Sequence, residues 1–263
     1  MVDIIAHDGV TQWRFSSFAS RLVGFSASAF VTADGILIDT GLSACAGEFG
    51  RLLDATRIRA AILTHHHEDH AGNLEMVARR GIPVWIPAST LPRVTKVAPI
   101  GTYRRLTWGA APPLTSKVTP YAPDSLTPIA APGHCADHHA IWHEATRTLF
   151  SADLFLGVAV RVIQQDEDPW LSLQSLDAAA ELAPTRMFCA HRGLVADPVE
   201  ALRAKAAWTR TMIDSISSRI QHGDSDATIL TSLMGGESLT GWASRGEYSR
   251  RNFIRAVRAR IAA

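Results

Sequence analysis

The sequence predicts a layered α/β domain followed by a helical appendage. Three observations carry that expectation. Short apolar runs alternate with helix-spaced segments over most of the chain, the pattern of sheets covered by helices. Hydrophobic residues make up 47% and charged residues 19% of the 263 residues, as in a globular protein with a substantial core. Beyond Pro198 the strand signals stop and helical spacing takes over. We therefore expect an α/β domain over residues 1–197 and a helical extension over residues 198–263.

The first part reads as strands broken by glycine. In ASAFVTADGILIDTG the apolar runs Ala29–Thr32 and Ile36–Asp39 flank Ala33-Asp34-Gly35, a hairpin-type turn. Phe49–Thr56 has helical spacing, and IRAAILT follows as a β-rich run. NLEMVARR is helix-like and closes at Gly81 and Pro83, and VWIP is a short strand. Leu91–Asp124 is rich in Pro, Thr and Arg and lacks periodicity, so a long surface insertion is expected. Strands resume with LTPIAAPGH, AIWHE and TLFSAD. Pro169–Ala183 is predicted helical, stopping at Pro184, and MFCAH is one more buried strand. In the extension, Leu202, Ala206, Ile213, Ile216 and Ile220 recur at helical spacing up to Gly223. DATILTSLMG and EYSRRNFIRAVRARI are two further helices.

The composition narrows the function classes. A net charge of +1 gives no electrostatic reason for an obligatory nucleic-acid or anionic-membrane partner. Three cysteines (Cys45, Cys135, Cys189) are few and odd in number, so no disulfide framework is expected, and a reducing cytoplasmic location fits best. MVDIIAHDGVTQWRF lacks the basic and apolar regions of a signal peptide, and no stretch approaches the roughly 18 apolar residues of a membrane helix.

The chemistry concentrates in ILTHHHEDHAGN. His65, His67, Asp69 and His70 form H-x-H-x-D-H directly after a predicted strand. Alternation puts His65 and His67 on one side, and the turn into the next helix brings Asp69 and His70 to the same pocket. Imidazole and carboxylate at this density suit Zn²⁺ and related divalent ions. Three further strand-end residues have ligand chemistry: His134 after IAAPG, Asp153 after LFSA and His191 after MFCA. An α/β sheet presents such positions to one crevice.

With ILIDTG upstream and PGH downstream, this order resembles the metallo-β-lactamase-fold hydrolases from about Phe25 to Gly193. The resemblance implies a four-layer αββα sandwich with two metals at one edge. It implies that His65, His67 and His134 hold one ion, that Asp69, His70 and His191 hold the second, and that Asp153 bridges them. A water shared by two such ions becomes a hydroxide nucleophile near neutral pH, with Asp69 orienting it or taking its proton. Zinc is the favoured metal, with iron or manganese as alternatives. Asp153 stands where some lactamases of the family use cysteine, which is more similar to the glyoxalase II, lactonase and nuclease branches. AHRG replaces the commoner GHG at His191 and adds Arg192 beside a ligand.

Other polar residues divide between the site and the scaffold. His138 resembles a position that supports the metal ligands by hydrogen bonding. His66 is expected to point away from His65 and His67 in a structural role. His134 and Cys135 look like a nucleophilic pair, yet neighbours on a strand face opposite ways, so Cys135 is expected to be a buried hydrophobe. Tyr103, Arg104 and Trp108 in the insertion, and Arg161 after the Asp153 strand, are candidate substrate contacts. The five arginines of SRRNFIRAVRAR raise an RNA-cutting alternative, which the neighbouring Glu247 and the near-neutral charge disfavour. A mononuclear iron oxygenase of the persulfide dioxygenase type is the other rival. The favoured reading is hydrolysis of a small-molecule thioester, ester or lactone, with β-lactam hydrolysis as a side activity.

Overall fold

The side chains of two sheets, facing each other, make the centre of the protein. A computed structural model describes residues 1–160 and 162–262. The first sheet runs β1 (Val2–His7), β2 (Val10–Phe15), β3 (Ala27–Thr32), β4 (Ile36–Ile38), β5 (Ala60–Ile62) and β6 (Val84–Trp85) in spatial order. Its early pairs are antiparallel, while β4, β5 and β6 are parallel. The second sheet holds β7 (Thr127–Ala130), β8 (His139–His143), β9 (Thr148–Ala152), β10 (Arg186–Cys189) and β11 (Gly193–Val195), in the order β11-β10-β9-β8-β7. Strands β9 and β10 are parallel.

Strand alternation divides the side chains between cores. On β3, Ala27, Ala29 and Val31 face one way and pack under α2 (Ala46–Ala55), which follows the short α1 (Phe18–Leu22), and α3 (Leu74–Arg79). Phe30 faces the other way, with Ile36, Ile38, Ala60 and Ile62, and meets Ile141, Phe150 and Phe188 of the second sheet. The rings of Phe30, Phe150 and Phe188 lie 5.3–5.6 Å apart. Leu149, Met187 and Cys189 point outward from the second sheet, under α6 (Pro169–Glu181) and the start of α7 (Pro198–Gln221). Helices on both outer faces make the αββα sandwich, and strands covered on both faces explain the near-continuous apolar runs.

The segment from Leu91 to Asp124 is not the surface loop its composition suggested. It folds into α4 (Leu91–Thr95) and α5 (Thr102–Thr107), and Val94, Trp108 and Leu114 are buried in the first core. Helices of five and six residues are too short to leave a periodic signal. The loop after them is held by Glu75 of α3, whose carboxylate accepts from the backbone amides of Thr115 and Ser116 at 2.9 and 3.1 Å.

Helix α6 starts where Asp168 accepts from the amides of Trp170 and Leu171 and Pro169 takes the first helical position. Such a cap contributes about 1 kcal/mol. Helix α7 serves two cores. Leu202 and Ala206 pack on the second sheet, while Ile213 and Ile216 join a cluster with α8 (Asp226–Met234) and α10 (Arg250–Ala262), which flank the short α9 (Leu239–Ala243). Ile163 belongs to that cluster, and its backbone pairs with Ser249. Strand β11 and helix α9 escaped the sequence reading because each is only a few residues long. Among the described residues, no helix is long and apolar enough to cross a membrane.

Candidate metal centre

The parallel pairs β4–β5 and β9–β10 end at one edge of the sandwich, and the candidate ligands leave from those ends. Asp39 follows β4, His65 to His70 follow β5, Asp153 follows β9, and His191 follows β10. Two local distortions aim them. Asp39 and Ala152 both hold positive φ, 60° and 44°. The register between β9 and β10 shifts at Ala152, so Asp153 is re-aimed by a bulge beside the site. His134 and Cys135 lie in a turn rather than on the expected strand, so their separation comes from the turn and not from alternation. Gly133 there has φ 133°, and a Cβ would collide with the backbone of Ser172.

The seven candidate ligands converge in two groups. His65 Nε2 and His134 Nε2 lie 3.1 and 3.0 Å from His67 Nδ1. Asp153 Oδ2 lies 3.2 Å from His134 Nε2. On the other side, Asp153 Oδ1 lies 3.3 Å from His70 Nε2 and 3.2 Å from His191 Nε2. Asp69 Oδ2 stands 3.4 Å from His191 Nε2 and 3.9 Å from His70 Nε2. The two oxygens of Asp153 therefore face two different histidine groups.

These residues fit divalent ions. Three ring nitrogens within 3.1 Å cannot all be satisfied by shared protons, and His70 Nε2 and Asp153 Oδ1 are buried with no hydrogen-bond partner. A tetrahedral ion with ligands at about 2.0–2.1 Å sets those ligands roughly 3.3 Å apart, close to the spacings here. Burial and the neighbouring imidazoles push His65 and His67 well below the ordinary histidine pKa, leaving lone pairs free. Burial also opposes charge on His70, yet Asp153, Asp39 and Asp69 outweigh it and raise this pKa. Burial works against Asp153 ionisation, but His191, His70 and His134 overcome it and hold the carboxylate ionised.

The far ring nitrogens are fixed by partners the sequence reading missed. His70 Nδ1 lies 2.7 Å from Asp39 Oδ2, and Asp39 also accepts from the amide of Thr64 at 2.8 Å. His65 Nδ1 meets Thr64 Oγ1 at 3.0 Å, and His191 Nδ1 meets the carbonyl of Ser26 at 2.7 Å. His134 Nδ1 is the exception: it is buried without a hydrogen-bond partner, and the nearest carboxylate, Glu167, stands 3.6 Å away. Asp39 was legible within ILIDTG, but Ser26 and Glu167 had no motif to mark them. His138 is fully buried, with Nδ1 on the Ala131 carbonyl and Nε2 accepting from the amide of Asp153. His66 turns away to Asp137, 2.8 Å from its Oδ1. Cys45, Cys135 and Cys189 are all free and buried.

The candidate substrate contacts separate. Tyr103 and Trp108 line a cavity of about 420 Å³ over the candidate ligand side chains, together with Phe25, Leu156, Gln164 and Tyr248. Arg104 does not line it. Its guanidinium is paired with both oxygens of Glu68, reaches Glu247 Oε1 at 3.3 Å, and so ties α5 to the metal motif and to the C-terminal segment. Arg161 lies outside the described residues. Lys205, unnoticed in the sequence, is buried on α7 and donates to the Leu154 carbonyl at 2.6 Å.

Comparison with known proteins settles the family. The family model described as the metallo-beta-lactamase superfamily matches residues 23–191. The chain belongs to the metallo-β-lactamase superfamily. A beta-lactamase-like protein 2 homolog of Caenorhabditis elegans is 27% identical over 208 residues, 71% of this chain and 65% of that protein. A hydroxyacylglutathione hydrolase of Methylococcus capsulatus is 35% identical over 156 residues, 56% of this chain and 54% of that protein. The chain thus spans less than two thirds of the length of these superfamily relatives. Among solved structures, the DIM-1 metallo-β-lactamase exposed to ceftazidime superposes with a TM-score of 0.62 at 13% identity, covering 80% of this chain and 97% of that one. The mono-zinc form of FIM-1 from Pseudomonas aeruginosa gives 0.60 at 16% identity, covering 80% and 95%. Those superfamily structures share the fold.

Proposed function

We propose that the chain is a dinuclear zinc-dependent hydrolase that cleaves the acyl bond of a small-molecule thioester, with esters and lactones as related substrates. The observation that carries this reading is the placement of Asp153. Its two oxygens face two histidine groups at 3.2–3.3 Å, so one carboxylate would serve two ion positions. His65, His67 and His134 would hold one ion, and Asp69, His70 and His191 the other. Divalent ions bound there acidify water and polarise an acyl oxygen.

The chain's own residues supply the rest. Asp69 lines the cavity with one oxygen directed at His191, which leaves the other to orient the attacking water and accept its proton. Asp39 holds the His70 ring and His138 holds the Asp153 backbone, so neither ligand reorganises during turnover. Burial pushes the Tyr248 hydroxyl pKa well up, so it stays protonated and donates to a substrate oxygen in the cavity. Phe25 and Trp108, edge to face at 6.1 Å, exclude water beside His191. The hydroxyacylglutathione hydrolase names among the relatives support a thioester over other acyl bonds.

Two of the five arginines behind the RNA-cutting alternative are engaged within the fold, while Arg251, Arg255 and Arg260 are exposed. Arg258 pairs with Asp226 at 2.6 Å, and Arg250 donates to the carbonyls of Met234 and Gly236. The test sets zinc-loaded protein against an acyl thioester and a phosphodiester in parallel, with Asp69→Asn as the blank. Thioester turnover lost in the variant is the expected result. Turnover of the phosphodiester alone would replace this reading with a nuclease.

A further inference from the structure

We infer that the acyl group cleaved here is an uncharged alkyl chain seated along one apolar wall of the cavity; the inference rests on the thioester reading and adds the substrate class to it. Away from the metal-ligand side chains, the cavity is bounded by Phe25 and Trp108 on the side of His191, and by Leu156, Ala159, Val160 and Val162 from the loop after β9. Its volume of about 420 Å³ matches a pocket that encloses a small organic group.

Among the described residues, the charged side chains lining the cavity beyond the proposed ligands are Arg192 and Glu167. Arg192 is the one basic side chain of the two. Its Nε donates to the Leu156 carbonyl at 2.5 Å, and its guanidinium lies against Gly157, where any Cβ would strike it. Glu167, the one lining acid outside the proposed ligands, faces His134 and accepts from the amide of Gln164 at 2.8 Å. A substrate arm with two or more anionic groups would meet a single described basic side chain, Arg192, so at least one charge would lose hydration without a partner, which costs several kcal/mol. An alkyl chain meets no such penalty.

Exposed apolar side chains lie close in sequence to several lining residues. Phe18 and Leu22 on α1 are 82% and 74% exposed, and Leu239 and Trp242 on α9 are 88% and 73% exposed. Helix α1 is joined to α5 through the bond from Ser17 Oγ to the Thr107 carbonyl, and Thr240, between Leu239 and Trp242, lines the cavity. Val23 and Val158, also exposed, each precede a lining residue. Single exposed apolar side chains are ordinary on a folded protein, but several flanking the lining residues of one cavity extend its apolar character. It gives a chain longer than the cavity somewhere to lie.

The experiment measures zinc-loaded full-length chain against N-acetylcysteamine thioesters from acetyl to decanoyl. Each added CH₂ should raise kcat/KM by roughly fourfold until the wall is filled. Ala159→Asp, which sets a carboxylate on the exposed part of that wall, should flatten the series. Equal kcat/KM at every chain length would overturn the inference while leaving the thioester reading intact. Absence of turnover at every length would remove the thioester reading, and calorimetry with alkyl methyl ketones from butanone to decanone then decides the wall. Affinity that climbs with ketone length upholds it; length-independent or absent binding overturns it.

Discussion

The Nε2 of His138 accepts a 3.1 Å hydrogen bond from the backbone amide of Asp153. Burial, with His134 close by, lowers this histidine to a pKa of about 3, so the ring stays neutral and can accept at Nε2 while Nδ1 donates to Ala131. The ring fixes the strand end from which the shared carboxylate projects. His138→Phe should keep the volume and lose both bonds, weakening metal binding by about 10–100-fold. Competition against a chromophoric zinc chelator checks it; unchanged affinity would reduce His138 to packing.

Asp39 should act selectively on one ion position. It holds His70 directly, makes no contact with His67 or His134, and reaches His65 only through Thr64 Oγ1. Asp39→Asn keeps an oxygen for the Thr64 amide but removes the charge that supports the His70 ring. The expected outcome is loss of about tenfold or more in affinity for one of two ions, with the other nearly unaffected. Calorimetric titration of the metal-free protein resolves the two steps.

Glu75 should make the insertion acid-sensitive. Burial alone would raise its pKa, but bonds from the Thr115 and Ser116 amides and hydroxyls prevail and lower it from 4.5 to about 2. A depressed carboxylate stabilises above its unfolded pKa and loses that contribution as pH falls toward the folded value. The window is therefore about pH 4.5 down to 2, and the contribution at neutral pH is at most about 3 kcal/mol. Urea unfolding of wild type and Glu75→Gln across pH 7 to 3 should show curves that converge on acidification.

The pair of Arg104 and Glu68 should be costly to break from one side. Both are largely buried, and the guanidinium also meets Glu247. Arg104→Met leaves Glu68 unpaired beside Asp69, and a loss of about 3–5 kcal/mol is expected. Arg104→Met with Glu68→Gln should recover part of that loss, measured by a double-mutant cycle.

The sequence carried the sheet core and the metal cluster for different reasons. Strands such as β3 and β9, buried on both faces, leave continuous apolar runs, and seven ligand-type residues at strand ends have few other uses. Trp108 read as a loop aromatic because nothing local says that a helix of six residues delivers it into the first core beside His191. Arg104 read as a substrate contact because its partner Glu68 is 36 positions away and sits inside the metal motif, where it looked like part of the cluster. Tyr248 lines the cavity from the turn before α10, and Lys205 on α7 bonds the carbonyl of Leu154 beside Asp153, placements invisible to periodicity.

Whether two ions share Asp153 is decided by metal stoichiometry. Dialysed, zinc-reconstituted protein should hold two zinc ions per chain by elemental analysis, and Asp153→Ala should lower that number and abolish thioester hydrolysis. A wild-type protein that retains a single ion, or an Asp153→Ala variant that still retains two, would mean that Asp153 does not join two ion positions.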